Sequence, residues 1–227
     1  MSFINFVNDK LGEDLQQLGK DGKDGKTYLL KTSKRFAKEK IKKNTEIAVK
    51  TFKSKKSIAK INAEADFQKR AALSSISVPI YAVDLNNKWI AMEKLDSMPA
   101  ETYRDNVLPE TLQYQLCALM GRLDSIGILH GDMNALNVML SSEGRPYMID
   151  FGFAKNITSR QLKKHGLHPN VRVSLWGLIH SFKRYKCDCS IMQECLDAYN
   201  AGEDISMWFE RGEELFDGKN RKKRKRK

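Results

Sequence analysis

Long apolar runs are missing from this sequence. No stretch stays apolar over the roughly 20 positions that a membrane-crossing helix needs, and Asp9, Lys10, Glu13 and Asp14 interrupt the short apolar pieces of the first thirty residues, which excludes a signal-peptide core. The expectation is a soluble, intracellular protein, cytoplasmic or nuclear, with no membrane contact. Cysteine is scarce. Cys117, Cys187, Cys189 and Cys195 show no CxxC spacing, and no second ligand pair follows Cys187 and Cys189 at zinc-like distance, so reduced thiols are expected rather than a disulfide framework or a metal site. His165 and His168 lack a carboxylate or cysteine at metal spacing and are expected in a loop. There is no internal repeat, and 227 residues exclude a large multidomain architecture while leaving room for one domain or two small lobes.

What is present is first of all positive charge, +12 in formal terms. Lys219 and Arg221 to Lys227 supply eight of these charges, so the body carries only +4. A run of that composition buries nothing, and residues 218–227 are expected to be a disordered polybasic tail. The lysine-rich stretch Lys31 to Lys60 differs, because Phe36, Ile41, Ile47, Ala48 and Val49 punctuate it; it reads as folded structure with a solvated face.

Periodicity divides the rest. Gly19 to Tyr28 suggests a strand, a glycine turn and a second strand; Glu46 to Phe52 is β-like; Ile58 to Leu73 places Ile58, Ile61, Ala65 and Ala72 on one helical face before Val78-Pro79. Tyr81 to Asp84 and Lys88 to Met92 read as strands around Asn86-Asn87, and a first lobe, residues 1–98, ends near Met98-Pro99. In a second, residues 99–217, Leu112, Leu116, Leu119, Met120 and Leu123 recur at helical spacing up to Gly127. Short strands at Val138 to Leu140 and Tyr147 to Ile149 flank a turn, and Val171 to about Ala198 is apolar enough for helices.

The chemistry is concentrated in His130-Gly131-Asp132, in Asn137 five residues after the aspartate, and in Asp150-Phe151-Gly152. Phosphoryl transfer needs a carboxylate at the attacking hydroxyl, with an amide and a second carboxylate for Mg²⁺, because the protein's task is to position groups and neutralise charge. In this order and spacing the residues resemble the catalytic and metal-binding loops of the protein-kinase-like superfamily. The resemblance implies an α+β, two-lobed kinase fold, with a small antiparallel β-sheet and one helix in the N-lobe and a reduced, mainly helical C-lobe. It implies ATP and Mg²⁺ as cofactors, Asp132 as catalytic base, and Asn137 and Asp150 as metal ligands. Ile47-Ala48-Val49-Lys50 is similar to the strand whose lysine holds the α- and β-phosphates, and the resemblance implies Glu64, on the next helix, as its ion-pair partner. Ala91-Met92-Glu93-Lys94-Leu95 is similar to the segment joining the lobes, with Met92 behind the adenine and the main chain of Glu93 and Leu95 bonded to it. Gly22 and Gly25 match two positions of the glycine loop, the first being Lys20 with a glycine displaced to Gly19.

Gly131 stands where most regulated protein kinases carry arginine. The HGD form is similar to small atypical branches: Bud32/PRPK-like kinases, RIO kinases, and aminoglycoside or choline phosphotransferases; a reduced viral Ser/Thr kinase would look the same. No APE-type motif follows Gly152, and Val173 to Gly177, which by its place in the order resembles the start of the helix anchoring the C-lobe, lacks its usual aspartate. The expected activity is Ser/Thr protein kinase. The alternatives are a small-molecule kinase and a Bud32-like kinase or ATPase subunit of a tRNA-modifying complex. The implied partners are a protein substrate, a regulatory subunit, and nucleic acid at the 219–227 tail.

Overall fold

Side-chain alternation along Glu46–Phe52 organises the N-terminal half of the chain. A computed structural model describes residues 1–19 and 21–224, with the backbone alone for 218–224. It divides into two compact units, Met1–Leu73 with Ser77–Leu95, and Ser74–Ile76 with the chain from Asp96 onward. The first holds α1 (Phe3–Leu11), β1 (Gln17–Leu18), β2 (Gly25–Lys31), β3 (Glu46–Phe52), α2 (Ile58–Leu73), β4 (Ile80–Asp84) and β5 (Trp89–Glu93). The five strands pair antiparallel in the order β1-β2-β3-β5-β4. Successive strand residues face opposite sides. Ile47 and Val49 therefore enter a core with Leu30, Trp89, Ala91 and the α1 residues Phe3, Phe6 and Val7, while Lys50 reaches α2 on the other side.

Helix α1 was not expected, although Phe3, Phe6 and Val7 stand at helical spacing and form its buried face. Ser2 caps it by accepting the Asn5 N–H at 3.2 Å, and Asn8 fastens it to the sheet by accepting the Trp89 indole N–H at 2.7 Å. The buried face of α2 also differs from the apolar stripe expected. Ile61, Glu64, Ala65, Gln68 and Ala71 are buried, whereas Ile58 is exposed. Polar side chains turn inward because partners wait there: Gln68 Nε2 lies 3.4 Å from both the Val78 carbonyl and Met92 Sδ.

The second unit contains α3 (Pro99–Thr102), α4 (Glu110–Ser125), β6 (Ile128–Leu129), a 3₁₀ turn (Ala135–Asn137), β7 (Val138–Leu140), β8 (Pro146–Met148), β9 (Lys155–Asn156), α5 (Ser159–His165), a π-helical turn (Val171–Leu175), α6 (Trp176–Arg184), α7 (Ser190–Ala201) and α8 (Ser206–Arg224). It begins at Asp96, earlier than the sequence suggested, because Asp96 and Ser97 bond to β7: Asp96 N–H to Leu140 O at 2.9 Å and Leu140 N–H to Ser97 O at 2.7 Å. Ser74–Ile76 joins it through Met148 N–H to Ile76 O at 2.8 Å. Helix α4 is the centre, with Leu112, Leu116, Leu119, Met120 and Leu123 all buried. Gly212 lets α8 close onto it, since a Cβ there would strike the Tyr114 carbonyl.

Two expectations are corrected. The run expected to be disordered from residue 218 continues α8 to Arg224. Lys and Arg are good helix formers, cations suit a helix C-terminus, and upstream turns are already anchored at Phe216. Residues 225–227 and the side chains of 218–224 lie outside the described part, and with them most of the proposed nucleic-acid contact. His165 is the last residue of α5 rather than a loop residue, and His168 Nδ1 stands 3.4 Å from Asp124 Oδ2. The four cysteines are buried, reduced thiols, and no described helix is long and apolar enough to cross a membrane.

Candidate active site

In the first unit, β3 projects Lys50 towards α2, where its Nζ meets Glu64 Oε1 at 2.6 Å. The Glu64 side chain is 1% exposed and binds a second ammonium, with Lys56 Nζ 2.7 Å from Oε2. Lys56 also pairs with Asp24 in the glycine turn at 2.8 Å, and nothing in the sequence distinguishes it from its neighbours Lys53 and Lys55. In that turn the Gly22 N–H donates to Gly25 O at 2.9 Å, and Lys53 Nζ donates to the carbonyls of Gly22 and Lys23 at 3.1 and 3.0 Å. Gly25 opens β2 hard against β3, where a Cβ would collide with the Thr51 carbonyl. Lys20 lies outside the described residues. Met92 and Leu95 are buried, and the Glu93 N–H is committed to Pro79 O at 3.3 Å.

In the second unit, β6 leads into the His130–Asn137 loop. Burial holds the His130 pKa down at about 4, so the ring is neutral near pH 7, and the contact of Nε2 with Ile149 O at 3.0 Å makes Nε2 the protonated nitrogen. Its ring packs on Phe151 with centroids 4.8 Å apart. Gly131 has φ +82°, and a Cβ on it would strike the Phe153 carbonyl, so this backbone has no room for the arginine of the HRD form. Asp132 is exposed. The Asp132 carbonyl accepts Asn137 Nδ2 at 2.7 Å and Asn134 Nδ2 at 3.2 Å. Asn137 O in turn accepts the Ile149 N–H at 2.9 Å, which joins the loop to the strand end carrying Asp150. Asp150 sits at φ +61°, a conformation that a short polar side chain tolerates, and its Oδ1 accepts the Gly152 N–H at 3.3 Å.

The structure thus brings Lys50 to Glu64 in one unit, and Asp132, Asn137 and the Asp150 segment together in the other. A RIO-domain family model matches residues 22–166, well over half of the chain and a span that includes all five of these residues. The chain belongs to the RIO-domain family. Over 127 residues this RIO-domain protein is 31% identical to a probable bifunctional tRNA threonylcarbamoyladenosine biosynthesis protein of Methanosarcina barkeri, covering 53% of this chain and 22% of that one. Its likeness to the protein of the same description in Methanobrevibacter smithii is 30% over 121 residues, covering 52% and 21%. With the serine/threonine-protein kinase rio2 of Schizosaccharomyces pombe it shares 27% over 131 residues, covering 56% and 38%. The matches span about a fifth of the archaeal relatives and less than two fifths of the yeast one. The fold is the mixed α+β, kinase-like architecture that the HGD and DFG motifs imply.

A residue that braces the His130–Asn137 loop of this RIO domain lies past the matched region and has no motif. Asn170 is fully buried. Its Oδ1 accepts the His130 N–H at 3.4 Å and the Ser174 hydroxyl at 2.9 Å, and its Nδ2 donates to Asp124 Oδ1 and Ile128 O, both at 2.7 Å. Burial raises the Asp124 carboxyl above its ordinary range, against the bonds from His168 and Asn170. The position needs an acceptor and a donor at once, which an amide offers and a carboxylate does not. Asn170→Ala would strand several buried groups and should cost about 3 kcal/mol, at roughly 1–3 kcal/mol for each polar group left unpaired. Asn170→Asp, facing Asp124, should cost at least as much at pH 7. Urea unfolding midpoints measure both, and wild-type midpoints in the two variants would remove Asn170 from this role.

Proposed function

We propose that this RIO-domain protein is an ATP-dependent phosphotransferase that moves the γ-phosphate of ATP to a serine or threonine hydroxyl of a protein. The observation that carries the reading is the double bonding of Asn137, whose side chain fixes the Asp132 carbonyl while its own carbonyl fixes Ile149. One residue therefore sets both carboxylate-bearing segments. The exposed Asp132 carboxylate orients the acceptor hydroxyl and takes its proton. Lys50, held by Glu64, neutralises the α- and β-phosphates. Gly22 and Gly25 shape the turn beside them, and Met92, Glu93 and Leu95 line the adenine.

The donor set fits magnesium. No cluster of three His, Cys, Asp or Glu side chains converges among the described residues, whereas one carboxylate and one amide oxygen, Asp150 and Asn137, suit an ion that keeps its waters and completes its shell with phosphate oxygens. When bound, Mg²⁺ would neutralise phosphate charge.

The surface following Asp150 favours a protein acceptor over a cationic small molecule such as an aminoglycoside or choline. From Phe151 to Cys187 there are eight Lys and Arg residues and no Asp or Glu. This stretch packs against the catalytic loop: Lys155 pairs with Leu129, and the Ser181 hydroxyl accepts the Ala135 N–H at 3.0 Å. A cationic acceptor would find no counter-charge there. Incubation with γ-labelled ATP, a protein panel, choline and an aminoglycoside tests the reading. Label on protein Ser or Thr is expected; label on a small molecule would overturn it. The archaeal likenesses favour a second reading, a kinase or ATPase subunit acting beside a tRNA-modifying partner. Release of inorganic phosphate with no phosphoprotein would select that one.

A further inference from the structure

Glu64 has one more cation than a simple lysine–glutamate pair requires. Each of its oxygens holds an ammonium group, Lys50 on Oε1 at 2.6 Å and Lys56 on Oε2 at 2.7 Å. The Lys56 side chain is 5% exposed, a rare condition for lysine. It is compensated by Glu64, by Asp24 Oδ2 at 2.8 Å and by the Phe52 ring, 4.7 Å from its Nζ. Asp24 lies in the turn between Gly22 and Gly25, so a single ammonium ties that turn to α2. A buried carboxylate stripped of its only cation is costly. Lys50, still held by Glu64, can spend part of its charge on a phosphate at low cost only if Glu64 keeps another counter-charge.

We propose that Lys56 is a positioning residue for nucleotide phosphates: it keeps Glu64 neutralised and holds the glycine turn to α2 while Lys50 engages phosphate. The inference rests on the reading of Lys50 as the phosphate-binding lysine. Lys56 acts through Glu64 and Asp24, the two carboxylates that it pairs with. Its contribution is therefore confined to ligands that carry phosphate.

The test compares MgATP with adenosine, by calorimetric titration of the wild-type chain and of Lys56→Met and Lys56→Arg, with thermal unfolding alongside. Lys56→Met keeps the length of the side chain and removes its charge. It should weaken MgATP about tenfold or more, the effect of losing a modest part of a buried charge interaction, and change adenosine by less than about twofold. Lys56→Arg should restore MgATP binding to within a few-fold of wild type. Asp24→Asn, which removes only the partly exposed partner, serves if Lys56→Met fails to fold, and should weaken MgATP a few-fold with adenosine unchanged. Equal losses for both ligands would show a purely structural role and overturn the proposal, as would undiminished MgATP binding in Lys56→Met and Asp24→Asn. A wild-type chain that binds MgATP no better than adenosine would instead remove the phosphate role of Lys50, and the inference with it.

Discussion

Replacing Asp132 by Asn is expected to lower phosphotransfer turnover by about 10²- to 10⁴-fold, the usual contribution of a positioned general base, while ATP affinity stays within a few-fold of wild type. The separation of the two effects follows from the loop's construction. Asn137 and Asn134 hold Asp132 by its main-chain carbonyl, so the substitution takes away a proton acceptor without touching those two bonds. The carboxylate is on an exposed residue, where an acceptor can reach it. Steady-state rates and ATP titrations on the same preparation check the split. Turnover at the wild-type rate would strip Asp132 of the role; a parallel collapse of ATP binding would mean that the loop, and not the base, had been damaged.

Asp150→Ala is expected to abolish most of the magnesium-dependent stabilisation by ATP, a shift of roughly 2.7 kcal/mol for the wild type at a hundredfold excess of ligand over Kd. Asp150 is the only charged member of the proposed donor pair, and Asn137 spends its amide nitrogen on Asp132. The quantity to compare is the ligand-induced shift, because Asp150 has φ +61° and alanine tolerates that conformation less well than aspartate. Asp150→Asn controls for this: asparagine accepts the backbone and retains an oxygen, so its shift should be intermediate. Thermal unfolding with ATP in magnesium and in EDTA reads both variants. An unreduced magnesium-dependent shift in Asp150→Ala would falsify the metal role.

Much of the architecture was legible because it is written at short range. The short apolar run Ile47-Ala48-Val49 within Glu46–Phe52, the helical spacing of Ile58–Leu73, and the leucines of Glu110–Ser125 each name their element within a few turns or pleats. The HGD and DFG motifs are local as well, since each is a loop whose chemistry sits within a few consecutive residues. Other elements were not legible for equally physical reasons. Helix α5 buries no residue at all, so its sequence carries no apolar period.

The amino-acid sequence by itself determined the order of the main elements and the kinase-like class, and it named the candidate site residues, because residue type and spacing suffice for those. Only the tertiary structure decided which polar side chains are dry and paired. Asn170 meets partners 40 and 46 residues away along the chain, and Lys56 is one lysine in a run of them, set apart by an acid from α2 and another from the glycine turn. The strength of a charge or an amide depends on how much water has been removed from around it, and that is settled by packing from distant segments, which no local pattern records.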